Sequence, residues 1–402
     1  MERADVIILG GGLVGLTLAV ALDRHGLSSL VVDPADPEKT LAPAYDGRAT
    51  AVASASYRML EAIGVAEGLA GEGCPIQTIR VSEGLEPGGI VFDAAEGDDP
   101  LGIMFENRRL RAALREAAQA AERVTLMMPA QAAEIVRDDA SVRVALDDGR
   151  ALTAPLLVGA EGRNSPTRQA AGIAVARWSY AHSAIVVTIE HERHHENVAY
   201  EIFYPSGPFA ILPMLPGTRS AIVWSVPAGD AAAVIDLPDR AMAAEVEKRM
   251  GGFLGAVTLA GPRWTYPLGF HHAAVMTSQR LALAGDAAHG IHPIAGQGLN
   301  LGLRDAAALA QVLVEGARLG LDLGDAQLLA RYERWRGLDT FMVAAATDGL
   351  TRIYGIPGRT ASAVRRFGMG MIQRIGPLKD QFMAEARGES GELPLLLRGL
   401  PI

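Results

Sequence analysis

Apolar residues fall into two kinds of run along this chain, and the change from one to the other divides it. Val6-Ile7-Ile8-Leu9 is unbroken and of strand length, the pattern of a strand buried on both faces, and Leu16-Thr17-Leu18-Ala19-Val20-Ala21-Leu22 continues as a helix. Ser29-Leu30-Val31-Val32 reads as a second strand that ends at Asp33. Helices are then predicted over residues 49–63 and 107–122, and strands at 79–82, 88–92, 124–128, 134–136, 142–146 and 154–159. Between 178 and 266 the pattern becomes short β-branched runs (184–189, 199–204, 209–212, 221–226) interrupted by one helix at 240–250, which predicts antiparallel sheet. A strand at 280–284 and a helix at 299–313 return to the first pattern, and the chain beyond 340 reads as mostly helical.

Two glycine-rich loops follow strands of the first kind. In Gly10-Gly11-Gly12-Leu13-Val14-Gly15 three of the four glycines have a mechanical use. Gly10 permits a sharp reversal, Gly12 lets the backbone approach a pyrophosphate, and Gly15 lets helix and strand pack closely. The helix N-terminus at Leu13 and Val14 offers free N–H groups and partial positive charge to phosphates, and Asp33 ends the next strand where a carboxylate accepts ribose hydroxyl protons. The second loop runs from Gly285-Asp286-Ala287-Ala288-His289 through His292-Pro293 to Gly296-Gln297-Gly298-Leu299-Asn300. Asp286 stands at a strand end, where open α/β sheets bind ligands, and suits a polyol chain. Pro293 stiffens the turn, Gly296 and Gly298 keep side chains out of it, and the following helix aims its first N–H groups into it. A strand–turn–helix with ordinary capping Asp and Asn is the alternative for this loop alone. The pair of loops predicts one long ligand held at its adenosine end and again near its reactive ring. The predicted fold is α/β: a Rossmann-like domain (1–75, 103–176 and 276–340), an inserted antiparallel β-sheet domain (76–102 and 177–275) and a C-terminal helical region (341–402).

Composition removes several alternatives. At 402 residues there is room for two domains with their own cores. Residues 6–22 carry no charge, yet they fall short of the ~20 residues a membrane span needs, and Glu2 and Asp5 make a poor positive leader. The chain is therefore expected in the cytoplasm. A net charge of −9 argues against nucleic acid as a partner. Cys74 is the only cysteine, which excludes intramolecular disulfides and thiolate metal clusters, and it reads as an inert filler. His191, His194 and His195 alternate with Glu192, Arg193 and Glu196 in what reads as an exposed hairpin, so no metal site is expected.

The second loop, Gly285-Asp286-Ala287-Ala288-His289 with His292-Pro293 and Gly296-Gln297-Gly298-Leu299-Asn300-Leu301-Gly302-Leu303-Arg304-Asp305, resembles the flavin motif of class A FAD-dependent aromatic monooxygenases, in particular the branch that hydroxylates ubiquinone precursors. Gly159-Ala160-Glu161-Gly162-Arg163-Asn164-Ser165-Pro166-Thr167-Arg168 is similar to that family's middle motif, which serves both FAD and the nicotinamide donor. Phe105-Glu106-Asn107-Arg108, Asp46-Gly47-Arg48, the stretch from Pro205 to Pro213 and the tail segment Tyr332-Glu333-Arg334-Trp335-Arg336 also match. The resemblance implies a para-hydroxybenzoate-hydroxylase-like architecture, with the Rossmann-like part as FAD-binding domain and the inserted sheet as substrate domain. It implies FAD, reduction by NAD(P)H, oxygen addition at flavin C4a to give a hydroperoxide, and transfer of one oxygen to the ring of a polyprenylated phenol. Arg48, Arg108 and Glu161 become cofactor contacts, with Glu161 standing where aspartate is usual, Arg108 for an amide, and Asp33 for the commoner glutamate. His289 and His292, beside Pro293, are candidates for activating the phenol by deprotonation, or else for holding the turn. Leu350 to Phe382 mixes apolar and arginine positions, which suits peripheral contact with the inner membrane or a quinone-synthesis complex. A homo-oligomer is compatible with all of this. Hydroxylation of a small free aromatic acid, or a non-catalytic FAD-bound scaffold, are the alternatives.

Overall fold

The computed structural model describes all residues except 43–45, 87–88, 96, 292–295, 355–357, 359–364, 366–367 and 369; at 338, 344–347, 350–352, 354 and 378 only the backbone is described. Its centre is a six-stranded sheet in the order Thr277–Ser278, Leu281–Leu283, Leu156–Gly159, Val6–Leu9, Ser29–Val32, Val124–Met127. All but the first of these strands run parallel, and the middle four are buried along their whole length, as unbroken apolar runs require. The helices Leu13–Arg24 and Gln297–Arg318 contribute their apolar sides to the same core.

The second large sheet has nine strands. Its main path runs His289–Gly290, Trp264–Ala273, Val175–His191, Arg219–Pro227, Gly207–Met214, Val198–Tyr204, Thr78–Glu83, Ile90–Asp93. One face, carrying Ile185, Val187, Ile202, Phe209, Ile211, Ile222 and Trp224, packs with Met242, Val246 and Met250 of the helix Asp239–Met250. The sheet is antiparallel as expected except where Thr78–Glu83 lies parallel to Val198–Tyr204. Those two strands are far apart in sequence, so no hairpin dictates their direction. A small sheet joins Ala49–Ala53, Gly102–Glu106 and Cys74–Ile76.

Three expectations need correction. The helix predicted over 49–63 begins as the strand Ala49–Ala53 and turns helical only at Ser54–Ala62. Alanine favours helix, but pairing with Gly102–Glu106 overrides that local preference. The strand predicted over 154–159 is two, because Pro155 separates Ala151–Ala154, in a four-stranded sheet, from Leu156–Gly159. His191 and His195 are buried rather than on an exposed hairpin: His191 bonds Ser220 Oγ and the Arg193 carbonyl, and His195 Nε2 lies 2.9 Å from the Met214 carbonyl. Their partners are remote in sequence, so the local charge alternation misled. Among the described residues, no group of three or more His, Cys, Asp or Glu is placed to hold a metal ion. Cys74 is buried, and burial pushes its thiol up to about 11.

Candidate functional site

Gly159 is the meeting point of three motifs. It pairs with Leu9 on one side and Leu283 on the other, so the first loop, the middle motif and the second loop leave the sheet side by side at the ends of adjacent parallel strands. Gly10, at φ +110°, turns against the Ala160 carbonyl, and a side chain at Gly15 would collide with the carbonyl of Gly10. Gly12 precedes the helix Leu13–Arg24 with no side-chain cap, and a Cβ there would have nothing within 4 Å. Val14 reaches across to the second loop: a Cβ at Gly285 would lie 3.0 Å from its Cγ2, and one at Gly302 would lie 2.6 Å from it. The two loops are thus in van der Waals contact, and Gly302, which local pattern gave no reason to select, is what lets the later helix approach.

Asp33 accepts the N–H groups of Gly11 and Ala35, each at 2.7 Å, through different oxygens. It therefore braces the first loop, and each oxygen keeps a lone pair for a ribose hydroxyl. In the second loop, Asp286 is exposed while its neighbours from Leu281 to Gly290 are buried. Its carboxylate is pushed outward because its backbone is pinned from behind. His271 Nε2 lies 2.8 Å from the Asp286 carbonyl and so donates to it, and Arg168 donates to the Ala287 carbonyl at 2.7 Å. Burial lowers His271 to about 4, which keeps the ring neutral.

His289 is buried, with Nε2 2.5 Å from Asp305. Asp305 also accepts the Gly285 N–H at 2.9 Å and the Arg336 Nε at 2.8 Å. Burial raises the Asp305 pKa, but the His289 imidazole and the Arg336 guanidinium outweigh it and hold the carboxyl below its ordinary range. Tyr332 donates to the Leu283 carbonyl at 2.8 Å. Arg168, His271, Asp305, Tyr332 and Arg336 together form the foundation of the loop. The motifs contained four of these five residues without revealing that they converge, because the partners come from separate elements; His271 lay outside them.

Asn300 is buried and fully engaged. It accepts the Ala53 N–H at 2.9 Å and donates to the carbonyls of Ala51 at 2.9 Å and Gly296 at 3.2 Å. Replacing it with leucine is expected to lower stability by ~1–3 kcal/mol, the cost of stranding buried partners, and to loosen FAD; thermal melting and the retained flavin absorbance measure both. Gly296 adopts φ +64°, Gly298 faces open space, and Gln297 and Leu299 are half-buried at the start of the helix. His292 and Pro293 lie outside the described residues. Arg48 grips Asp46 through two hydrogen bonds of 2.9 Å and lies 5.1 Å over the Tyr266 ring. Burial raises the Asp46 pKa, yet Arg48 and Arg111 hold the carboxyl well below the carboxylate range. Arg108 pairs with Glu106 at 3.5 Å. Glu161 accepts the Ser165 hydroxyl at 2.6 Å and the Thr167 N–H at 3.2 Å, so it braces the first turn of the helix Pro166–Ala170, whose cap is Ser165.

These residues fit FAD. The cradle at Gly12 has room for phosphate oxygens beside an uncapped helix terminus, and the exposed Asp286 follows the strand Leu281–Leu283, two places along the same sheet. The unhelixed face of the large sheet turns toward this site. Trp264 lies against Gly47, Tyr266 under Arg48, and Arg219 reaches Glu106 at 3.3 Å. On that face Val81, Leu212, Val223 and Tyr266 stay half-exposed although they sit within the sheet, which leaves a mainly apolar cleft.

The FAD binding domain family matches residues 3–339. The ubiquinone hydroxylase UbiL of Rhodospirillum rubrum is 46% identical over 402 residues, covering 99% of this chain and 94% of that protein. The 3-demethoxyubiquinol 3-hydroxylase of Escherichia coli is 35% identical, covering 96% and 99%. Among solved structures, p-nitrophenol 4-monooxygenase PnpA from Pseudomonas putida DLL-E4 superposes with a TM-score of 0.80 over 98% of this chain and 100% of that one, at 17% identity, a likeness of fold.

Proposed function

We propose, from the premise that this chain belongs to the FAD-binding family of flavoprotein monooxygenases, that it hydroxylates the aromatic ring of a polyprenylated phenol in ubiquinone biosynthesis, using dioxygen and NAD(P)H. The observation that carries the reading is the convergence of both glycine loops, Asp33 and Asp286 on one edge of the sheet, facing an apolar cleft. The chemistry FAD supplies when bound is the activation of dioxygen at the expense of a nicotinamide hydride. The chain's residues bind, orient and shield. The first loop and Asp33 hold the adenosine half, and Asp286 holds the chain leading to the ring. The N-terminus of the helix Gln297–Arg318 stabilises negative charge near it. His289, locked on Asp305, positions this loop rather than moving a proton. The apolar cleft excludes water and suits a prenylated ring.

The C-terminal helices support peripheral contact with the membrane that dissolves such a substrate: Phe341, Met342, Ile353, Met371, Ile375 and Phe382 are exposed. Among the described residues, no helix is long and apolar enough to cross a membrane. The deciding experiment supplies the FAD-loaded protein with NAD(P)H, ¹⁸O₂ and a prenylated phenol. One labelled oxygen in the ring is expected, and donor oxidation that yields only hydrogen peroxide would defeat the reading.

A further inference from the structure

Glu201 lies in the middle of the strand Val198–Tyr204 on the face that turns toward the flavin loops. Side chains alternate along a strand, and the neighbours Tyr200 and Ile202 belong to the opposite face, packed under the helix Asp239–Met250. Glu201 stands opposite Ala210 on one side and Val81 on the other, and Ala210 stands opposite Val223. Val81, Ala199 and Leu212 share an apolar cluster with Ala51, and Ala51 Cβ lies 3.5 Å from where a Cβ would stand at Gly296 in the flavin loop. The immediate surroundings of Glu201 are therefore hydrocarbon, and its carboxyl is half-buried and engaged by no hydrogen bond or ion pair among the described residues.

Of the other ionisable groups turned to this face from neighbouring elements, Tyr266 lies under the Arg48 guanidinium, Glu190 is exposed, and the rest are paired. Glu83 is bound by Arg365, Arg219 by Glu106, Arg48 by Asp46 beside Tyr266, and Cys74 lies against His195. An isolated carboxyl among apolar groups is a standing cost to the fold unless something in the cleft meets it. A phenolic hydroxyl is the group that does so: it is a donor, it accompanies an apolar ring, and its acidity suits a carboxyl of raised pKa.

We infer that Glu201 receives the hydroxyl of the phenol substrate, accepting its hydrogen bond and then its proton while the ring is oxygenated. The inference rests on the proposed hydroxylation. The phenol O–H bond breaks and a Glu201 O–H bond forms, and the electron pair left on the phenol oxygen moves into the ring toward the carbon that is oxygenated. That carbon then loses its hydrogen to solvent as a proton. As the ring regains aromaticity, the phenol oxygen recovers its proton from Glu201. Burial pushes Glu201 up to about 8, so the accepting form grows as pH rises through that value.

The test uses the FAD-loaded full chain, with the flavin spectrum confirming that each variant folds. First, para-prenylphenol and its methyl ether are titrated into the protein without donor, and binding is read from the flavin absorbance. The wild type prefers the phenol by about tenfold, one hydrogen bond's worth, and Glu201→Leu loses the preference. Second, hydroxylation is followed against pH. The wild type rate rises through about 8; Glu201→Asp keeps a rising limb, while Glu201→Gln is flat and ~10²-fold slower above it. A Glu201→Leu protein that still prefers the phenol, or a Glu201→Gln protein with the wild type limb, overturns the inference. A wild type that shows the preference, loses it in Glu201→Leu, yet hydroxylates no phenol overturns the proposed function and leaves the contact standing.

Discussion

Gly15→Ala is expected to yield protein that folds poorly or is purified colourless. The added methyl group would sit on the carbonyl oxygen of Gly10, and neither partner is a flexible side chain that can swing aside. Relief requires the helix Leu13–Arg24 to move off the end of the strand Val6–Leu9. That shift carries the uncapped N–H groups of the helix, and Val14 with them, away from the second loop. Overpacking of this kind costs ~3 kcal/mol, roughly a hundredfold in FAD affinity if the whole cost falls on the site. Gly12→Ala is the control. A Cβ there meets nothing within 4 Å, so the apoprotein is expected to melt like wild type while FAD affinity falls, because the methyl occupies the approach to the phosphates. Titration of apoprotein with FAD, beside thermal melting without it, separates the two cases. If Gly15→Ala bound FAD within a few-fold of wild type, this account of the loop would fail.

What was legible in the sequence divides along a physical line. The strand–loop–helix at Val6–Arg24 could be read because its causes are local: an apolar run, a helix, and Gly10 between them at a positive φ that favours glycine. The same holds for Ser29–Val32 ending at Asp33, and for the alternating strands between 175 and 227. The strand Ala49–Ala53 was not legible. Its alanines speak for helix, and what makes it a strand is pairing with Gly102–Glu106 and the two hydrogen bonds that Asn300 makes to Ala51 and Ala53. Glu161 and Asn300 were expected at the cofactor, and the structure shows each already engaged in shaping its own loop. Glu201 gave no signal at all in a β-branched run, since its isolation depends on Val81 and Ala210 arriving from other strands. Local conformation was written locally, whereas side-chain roles depended on neighbours that only the fold brings together.

Asp305→Asn is expected to lower stability by ~3–5 kcal/mol, a large part of the ~5–15 kcal/mol that holds a typical domain together. The residue is fully buried, and its carboxylate faces the Arg336 guanidinium, the His289 imidazole and the Gly285 N–H. Removing its charge leaves Arg336, itself 3% exposed, with only the part-exposed Asp339 as counter-charge. Arg304 extends the network through Asp339 to the carbonyls of Gly388 and Ser390, so the damage spreads from the flavin loop to the chain's last turns. Denaturant unfolding of the apoprotein measures the loss. The double variant Asp305→Leu, Arg336→Met is expected to be less destabilised than the sum of its parts, because it removes both buried charges. The pH dependence has a definite sign. Asp305 titrates below its ordinary value in the fold, so its contribution is complete above the unfolded carboxyl value of about 4 and is lost as pH falls through and below it. The gap between wild type and Asp305→Asn should accordingly be widest near neutrality and close in acid. A variant that unfolds within ~1 kcal/mol of wild type at neutral pH, or a gap that grows on acidification, would show that the loop is anchored elsewhere.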